Sequence, residues 1–351
     1  MNIRDFYKDK KVLVTGHTGF KGSWLCKILL DLGAEVTGYA LEPPTEPNLF
    51  SLLPPSEKLH SVIGDVRDLA HLQQVFAEAQ PEIVLHLAAQ PIVRESYVHP
   101  VETYAANVMG TVHLLECVRK CDSVRSVVNV TTDKVYKNNE WEWGYREEDE
   151  LKGYDPYSNS KSCSELVTYS YVKSFFGPME NAPAVSTARA GNVIGGGDFA
   201  VDRIIPDCIR AAMKKVPIGV RNPYSTRPYQ HVLEPLRAYL LIAAAQYEDP
   251  SLQGNYNVGP DDCDCVTTGE LTDLFCASWG EGMIWENHAV DGPHEASFLR
   301  LDCSRIKKIF GWQPVWHVKD AVEQTVAWAK AYAAGEDVIE LMEKQIESFV
   351  F

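Results

Sequence analysis

The sequence predicts an α/β protein in which a doubly wound parallel sheet is followed by a smaller mixed C-terminal lobe. Three observations predict it. Short β-type apolar runs alternate with helical spacings as far as Ala190, the first run ends in a glycine-rich turn, and after Gly195 glycines and prolines break up a mixture of short strands and helices.

Lys11-Val12-Leu13-Val14-Thr15 is the first strand and runs straight into Gly16-His17-Thr18-Gly19-Phe20-Lys21-Gly22. Ser23 to Leu32 reads as the next helix, closed by Gly33. Glu35 to Ala40 and Leu59 to Ile63 supply two more strands, the latter ending at Gly64-Asp65. Leu69, Leu72, Val75 and Phe76 repeat at helical spacing before a fourth, buried-type strand, Ile83-Val84-Leu85-His86-Leu87. One long helix is expected from about Val101 to Lys120, with Val108, Val112, Leu115 and Val118 along one side. A fifth strand, Val127 to Val130, ends at Thr131, Tyr157 opens a helix that passes Val167, and Ala184 to Ala190 is the sixth strand. Beyond it, Asn255 to Val258 reads as a short strand, with helices near Thr268 to Trp279 and Val318 to Ala334.

Composition narrows the class of partner. The chain has 351 residues, 45% of them hydrophobic, which is enough for a sizeable core. Its 33 Lys and Arg against 48 Asp and Glu give a net charge of −15, which disfavours nucleic acid and anionic membrane, so an anionic substrate must meet a local basic pocket. No apolar run approaches the ~20 residues that span a bilayer, and Met1-Asn2-Ile3-Arg4-Asp5-Phe6 shows no secretory core, so a cytoplasmic protein is expected. Nine cysteines without a Cys-x-x-Cys pair read as reduced, inert thiols, and no metal site is expected.

The glycines carry the first chemical signal. Gly16, Gly19 and Gly22 stand between a strand and a helix, where missing side chains permit a tight turn, close approach of a pyrophosphate and close helix packing. That is a Rossmann-type dinucleotide site. The second strand ends Gly38-Tyr39-Ala40-Leu41-Glu42 with no Arg or Lys for a 2′-phosphate, which favours NAD over NADP. Glu42 is either a ribose ligand or a solvated charge. Asp65 either meets the adenine or caps the next helix. His17 is expected to shape the loop.

Tyr157 and Lys161 carry the second signal. Four apart, they share a helix face, so an ammonium can stand beside a phenol and favour its ionised form. Behind an intact dinucleotide loop, this pairing points to hydride chemistry on a nicotinamide.

The glycine loop, Gly64-Asp65-Val66-Arg67-Asp68, Leu87-Ala88-Ala89-Gln90, Tyr157 with Lys161, and Arg189-Ala190-Gly191-Asn192-Val193 together resemble the extended short-chain dehydrogenase/reductase family, over nearly the whole chain. That family includes sugar-nucleotide epimerases and dehydratases. Gly16 to Trp24, Trp141-Glu142-Trp143-Gly144-Tyr145-Arg146-Glu147 and Tyr154-Asp155-Pro156-Tyr157-Ser158 look most like the CDP-glucose 4,6-dehydratases. In Thr131-Thr132-Asp133-Lys134, an acid at Asp133 suits protonation of a departing hydroxyl, whereas epimerases usually carry small residues there. The dTDP-glucose dehydratases have Glu where this chain has Lys134.

The resemblance implies a redox-neutral dehydration of CDP-glucose with NAD. Its implied catalytic residues are Thr132, Asp133, Lys134, Tyr157 and Lys161, with Lys134 either the C5 base or the group that orients Asp133. The implied cofactor contacts are Gly16, Gly19, Phe20, Gly22, Asp65, Val66, Leu87, Ala88, Ala89, Asn107 and Thr131, besides Tyr157 and Lys161. Gln90, Arg94, Asn192, Arg203 and Arg227 are the implied substrate ligands, with Arg300 a weaker candidate. Trp141 and Trp143 either cover the site or pack a hairpin. Residues 1–194 are assigned to the NAD-binding domain, with a segment near 230–260 returning to it, and 195–351 to a smaller sugar-nucleotide lobe. A homodimer through the helices from Val101 and Pro156 is implied, as is a role in surface polysaccharide such as O-antigen. An epimerase, a dehydratase for another nucleotide sugar, and a non-catalytic NAD-binding regulator are the competing readings.

Overall fold

In the computed structural model, which describes residues 2–288 and 298–349, seven parallel strands form one central sheet. They are β1 (Lys11–Thr15), β2 (Glu35–Ala40), β3 (Leu59–Ile63), β4 (Ile83–His86), β5 (Ser126–Thr132), β6 (Ala184–Ala190) and β7 (Asn255–Val258). Their order across the sheet is β7-β6-β5-β4-β1-β2-β3, so the winding reverses between β1 and β4. That reversal opens a crevice beyond the carboxyl ends of those two strands.

Alternate strand residues feed two cores, as a sheet buried on both faces requires. Val12, Val14, Ile83, Leu85, Val128 and Val130 join Trp24 and Leu29 of α1 (Phe20–Asp31) and Leu236 and Leu240 of the later helix Leu233–Glu248. Leu13, Val84 and Val127 face the other way, against α2 (Leu69–Ala79) and α3 (Gly110–Arg119). The helix α4 (Pro156–Tyr171) lies beside α3, and α5 (Ile204–Met213) begins the smaller lobe. With α6 taken as Leu233–Glu248, the lobe's own core joins α5 to α7 (Thr268–Trp279) and α8 (Val318–Ala334) through Cys208, Leu271, Phe275, Val322 and Val326.

Three local differences from the sequence reading have physical causes. The helix after the glycine turn starts at Phe20 rather than Ser23, which places Gly22 inside its first turn. The expected single helix from Val101 to Lys120 is Pro100–Tyr104, a π turn Ala105–Met109, and then α3. The extra residue of a π turn draws in Asn107, 1% exposed, whose amide bridges Gln90 O at 3.0 Å and Ser160 Oγ at 2.9 Å. Helix α6 left no clear signature because it is buried nearly all round, so no apolar stripe marks one face.

Candidate active site

The glycine turn is built by close approach. Gly16 has φ +79°, and a Cβ there would stand 2.8 Å from Ala88 N; one on Gly22 would stand 2.1 Å from Gly16 O. Thr15 Oγ1 lies 2.7 Å from His86 Nδ1 and accepts from Ala88 N at 3.2 Å, locking the tips of β1 and β4 together. The turn therefore presents backbone and the positive end of α1 to the crevice, which fits the pyrophosphate of a dinucleotide.

Other expected cofactor residues shape this crevice. His17 is buried, its Nε2 2.7 Å from Ser61 Oγ, and burial pushes its pKa down to about 4, so it acts as a neutral brace. Asp65 forks onto Arg67, with Nε at 2.9 and 3.0 Å, and that contact holds its carboxyl below the usual range. It is not the helix cap: Asp68 caps α2, accepting from His71 N at 3.0 Å. Val66 meets Gly110, where a Cβ would stand 2.8 Å from Val66 Cγ2. Gln90 and Asn107 hold each other, Gln90 N donating to Asn107 Oδ1 at 2.8 Å, while Gln90 Nε2 donates to Thr103 Oγ1 at 2.9 Å.

The reactive groups converge at the carboxyl end of β5. The strand ends at Thr132 and turns into a short 3₁₀ segment, Asp133–Val135. Asp133 is 1% exposed; its Oδ1 accepts from Thr132 Oγ1 at 3.0 Å, and its Oδ2 has no hydrogen-bond partner among the described residues. Burial raises its pKa against the pull of Lys134, Thr132, Arg227 and Lys21. Helix α4 is pinned at its start by Asp155, which accepts from Ser158 N at 2.9 Å and Ser158 Oγ at 2.5 Å, and by Ser96 Oγ, which accepts from Tyr157 N at 3.1 Å. This fixes where Tyr157 enters the site.

The electrostatics differ from the sequence reading in one respect. Burial pushes the Tyr157 phenol up to about 12, and the groups that pull it back are a hydrogen bond with Thr132 and the Arg203 charge. Lys161, expected in that role, donates to Val130 O at 3.0 Å behind the strand, and burial together with Lys21 lowers its pKa to about 7.

A cleft of about 510 Å³ runs from this centre into the lobe. Of the expected residues, Phe20, Arg94, Thr131, Thr132, Asp133, Lys134, Tyr157, Asn192, Arg203 and Arg227 line it. Gly16, Gly19, Gly22, Asp65, Val66, Leu87, Ala88, Ala89, Gln90, Asn107 and Lys161 are outside its lining. Arg300 lies over the Phe298 ring, 4.8 Å from its centroid, also outside. Trp141 stacks on Tyr145 at 5.5 Å and meets Trp143 edge-on at 6.0 Å, and neither lines the cleft; the rings pack as the second reading expects, but on an irregular segment with isolated bridges in place of a hairpin. Cys263, Asp264 and His317 come within 4.8 Å of one another away from the cleft, but Asp264 is engaged as a cap, accepting from Val318 N at 3.0 Å.

The model of the GDP-mannose 4,6 dehydratase family matches residues 13–325. The chain belongs to that family. It is 46% identical over 351 residues to the CDP-glucose 4,6-dehydratase of Salmonella typhimurium, covering 99% of this chain and 98% of that protein. It is 25% identical to the CDP-paratose 2-epimerase of Salmonella typhi, across 92% and 99% of the two chains. In fold it resembles DesIV, a dTDP-glucose 4,6-dehydratase from Streptomyces venezuelae solved with NAD bound, with TM-score 0.80, 24% identity and coverage of 93% and 98%. It also resembles the epimerase Mth375 of Methanothermobacter thermautotrophicus, with TM-score 0.83, 21% identity and 97% of each chain covered.

In this member of the GDP-mannose 4,6-dehydratase family, sequence reasoning missed three cleft residues. Lys21 lines the cleft, and burial with the neighbouring Arg203 lowers its pKa to about 8. Asp198 accepts from Arg203 Nη1 at 2.9 Å, and Arg221 lines the lobe end. The signal for Lys21 was present: a lysine between the second and third glycines of the turn is a charge placed beside the cleft.

Proposed function

We propose that this protein dehydrates CDP-glucose to CDP-4-dehydro-6-deoxyglucose, using bound NAD as an internal hydride carrier. End-to-end identity with a CDP-glucose 4,6-dehydratase supports the substrate. The observation that carries dehydration over epimerisation is Asp133, a buried carboxyl held toward its acid form in the cleft beside Thr132.

Tyr157, as phenolate, takes the proton of the sugar C4 hydroxyl while Thr132 hydrogen-bonds the same oxygen. Bound NAD supplies the acceptor for the C4 hydrogen and the donor that returns it to C6. The resulting 4-ketone acidifies C5–H, Lys134 or a group it positions takes that proton, and Asp133 gives its own to the departing C6 hydroxyl. Hydride return to C6 leaves an enolate that regains the C5 proton from the same base, so the proton that Tyr157 took from the C4 hydroxyl is the one that restores the acid form of Asp133. Burial of Asp133, which opposes its charge, suits its acid form at the start. Asn192, Arg203 and Arg227 face the cleft and would hold the diphosphate, arginine through its planar fork.

A homodimer is part of this reading. Val98, Val101, Leu166 and Tyr169 are 68%, 75%, 54% and 62% exposed on the neighbouring helical segments Val93–Val98, Pro100–Tyr104 and α4, an apolar surface suited to a second copy. All nine cysteines are free thiols, in keeping with a reducing, cytoplasmic setting, where the product would feed surface-polysaccharide sugars such as O-antigen.

The test is direct. Purified protein given CDP-glucose and NAD⁺ yields a sugar nucleotide lighter by one water with no net NADH; unchanged mass with inverted C4 would establish the epimerase instead. Running dTDP-, UDP- and GDP-glucose in parallel decides the base.

A further inference from the structure

One buried ion pair ties together the elements that carry the proposed chemistry. Glu165 follows Lys161 by one turn on α4 and is 3% exposed, and Arg189, on β6, is 1% exposed. The Glu165 carboxylate accepts from Thr131 Oγ1 at 2.5 Å, Thr187 Oγ1 at 2.7 Å, and Arg189 Nε and Nη2 at 3.0 and 2.9 Å. Arg189 Nη1 donates to Tyr136 OH at 2.8 Å and to Glu147 O at 2.9 Å, and Tyr136 OH donates to Asn257 Oδ1 of β7 at 2.6 Å. Helix α4, the tip of β5 and the residue following Asp133–Val135 therefore share one anchor.

Stability is a weak reason for such a pair, because desolvating two ions costs as much as their attraction returns, and apolar residues of similar volume hold a core at least as well. Direction is what apolar packing lacks. Four converging hydrogen bonds fix the carboxylate between strand and helix. The charged groups that face Lys161 are Lys21 from the glycine turn and Glu165 from its own helix, with the neutral ring of His86 on β4; Lys21 disfavours the ammonium form and Glu165 favours it.

We infer that the Glu165–Arg189 pair is a positioning element for turnover, setting Thr132 and Asp133 against Tyr157 and keeping a negative charge behind Lys161. The inference rests on the roles proposed above for Thr132, Asp133 and Tyr157, with Lys161 taken as active in its ammonium form.

Glu165→Gln and the double variant Glu165→Met/Arg189→Met test it, the second removing both charges so that neither is left buried alone. In CDP-glucose assays with NAD⁺, both variants fold by circular dichroism, lose about tenfold or more in kcat with KM changed less than about threefold, as expected when reacting groups are misplaced by a fraction of an ångström. In both, the alkaline limb of the kcat profile moves to lower pH, because Lys161 gives up its proton more readily. A folded double variant with wild-type kcat and an unmoved profile overturns the inference, and so does failure of both variants to fold, which would make the pair structural. Absence of turnover in the unmodified protein would instead sink the dehydratase reading.

Discussion

Thr132 Oγ1 donates to Asp133 Oδ1 at 3.0 Å while Asp133 Oδ2 has no hydrogen-bond partner among the described residues, so one carboxyl oxygen is steered by its neighbour and the other is left to the cleft. A buried carboxyl in that state is poised to lend a proton rather than to hold a charge.

Replacing that acid should separate oxidation from elimination. Asp133→Asn keeps the shape but cannot deliver a proton, so dehydration slows by about 10²- to 10⁴-fold, the usual worth of general acid catalysis. Stopped-flow absorbance at the NADH band should then rise and persist, as C4 is oxidised without loss of water. A variant that dehydrates at the normal rate would remove Asp133 from the mechanism.

Lys161 gives a pH prediction with a definite sign. Its folded pKa is lowered to about 7 by burial and Lys21, whereas the unfolded side chain titrates at the ordinary lysine value, so between the two the unfolded state binds the extra proton. The cost of burying Lys161 is full below about pH 7 and fades as pH rises. Lys161→Met should therefore melt above the unmodified protein near pH 7, with the gap closing toward pH 9. A gap independent of pH contradicts the assignment.

Gly22→Ala should break the phosphate turn. The new methyl would stand 2.1 Å from Gly16 O, a backbone atom that cannot yield cheaply. Overpacking of this kind costs about 1–3 kcal/mol. Denaturant melts should show that loss, and NAD⁺ titration should show weakened binding, whereas Gly280→Ala, with nothing within 4 Å of the new Cβ, leaves NAD⁺ binding unchanged.

Arg227→Met should raise KM for the nucleotide sugar and leave NAD⁺ affinity in place. Arg227 is 5% exposed, lines the cleft and opposes the raised pKa of Asp133. Losing a charge-assisted phosphate contact costs about 1.5–3 kcal/mol, so KM should rise at least tenfold. An unchanged KM would place the diphosphate elsewhere.

The sheet was legible because its signals are local. Val12 to Val14 and Ile83 to Leu85 are apolar without interruption, and Gly16 to Gly22 join a strand to a helix in a spacing few other turns need. Thr132, Asp133 and Tyr157 could be placed at the cleft for the same reason, since each sits at a fixed offset from a strand end or helix start. What the sequence concealed depends on distant partners. The shift of Tyr157 comes from burial, and Thr132 and Arg203 oppose it rather than the lysine four residues on. Asp65 and Asp68 are both plausible caps in a string of letters, and only the fork of Arg67 decides between them. Glu165 and Arg189 are ordinary charges until the strands bring Thr131 and Thr187 to the same carboxylate.

Strand β7 comes from residues 255–258 yet pairs with β6 in the central sheet, and α6 shields the apolar side of the same strands. A gene truncated after Ile194 would thus produce a sheet with a bare rim and an uncovered greasy flank. Such rims recruit strands from other molecules, so the front portion expressed alone should precipitate rather than serve as a free-standing nucleotide module. Grafting or swapping of halves among relatives has to carry both later segments along.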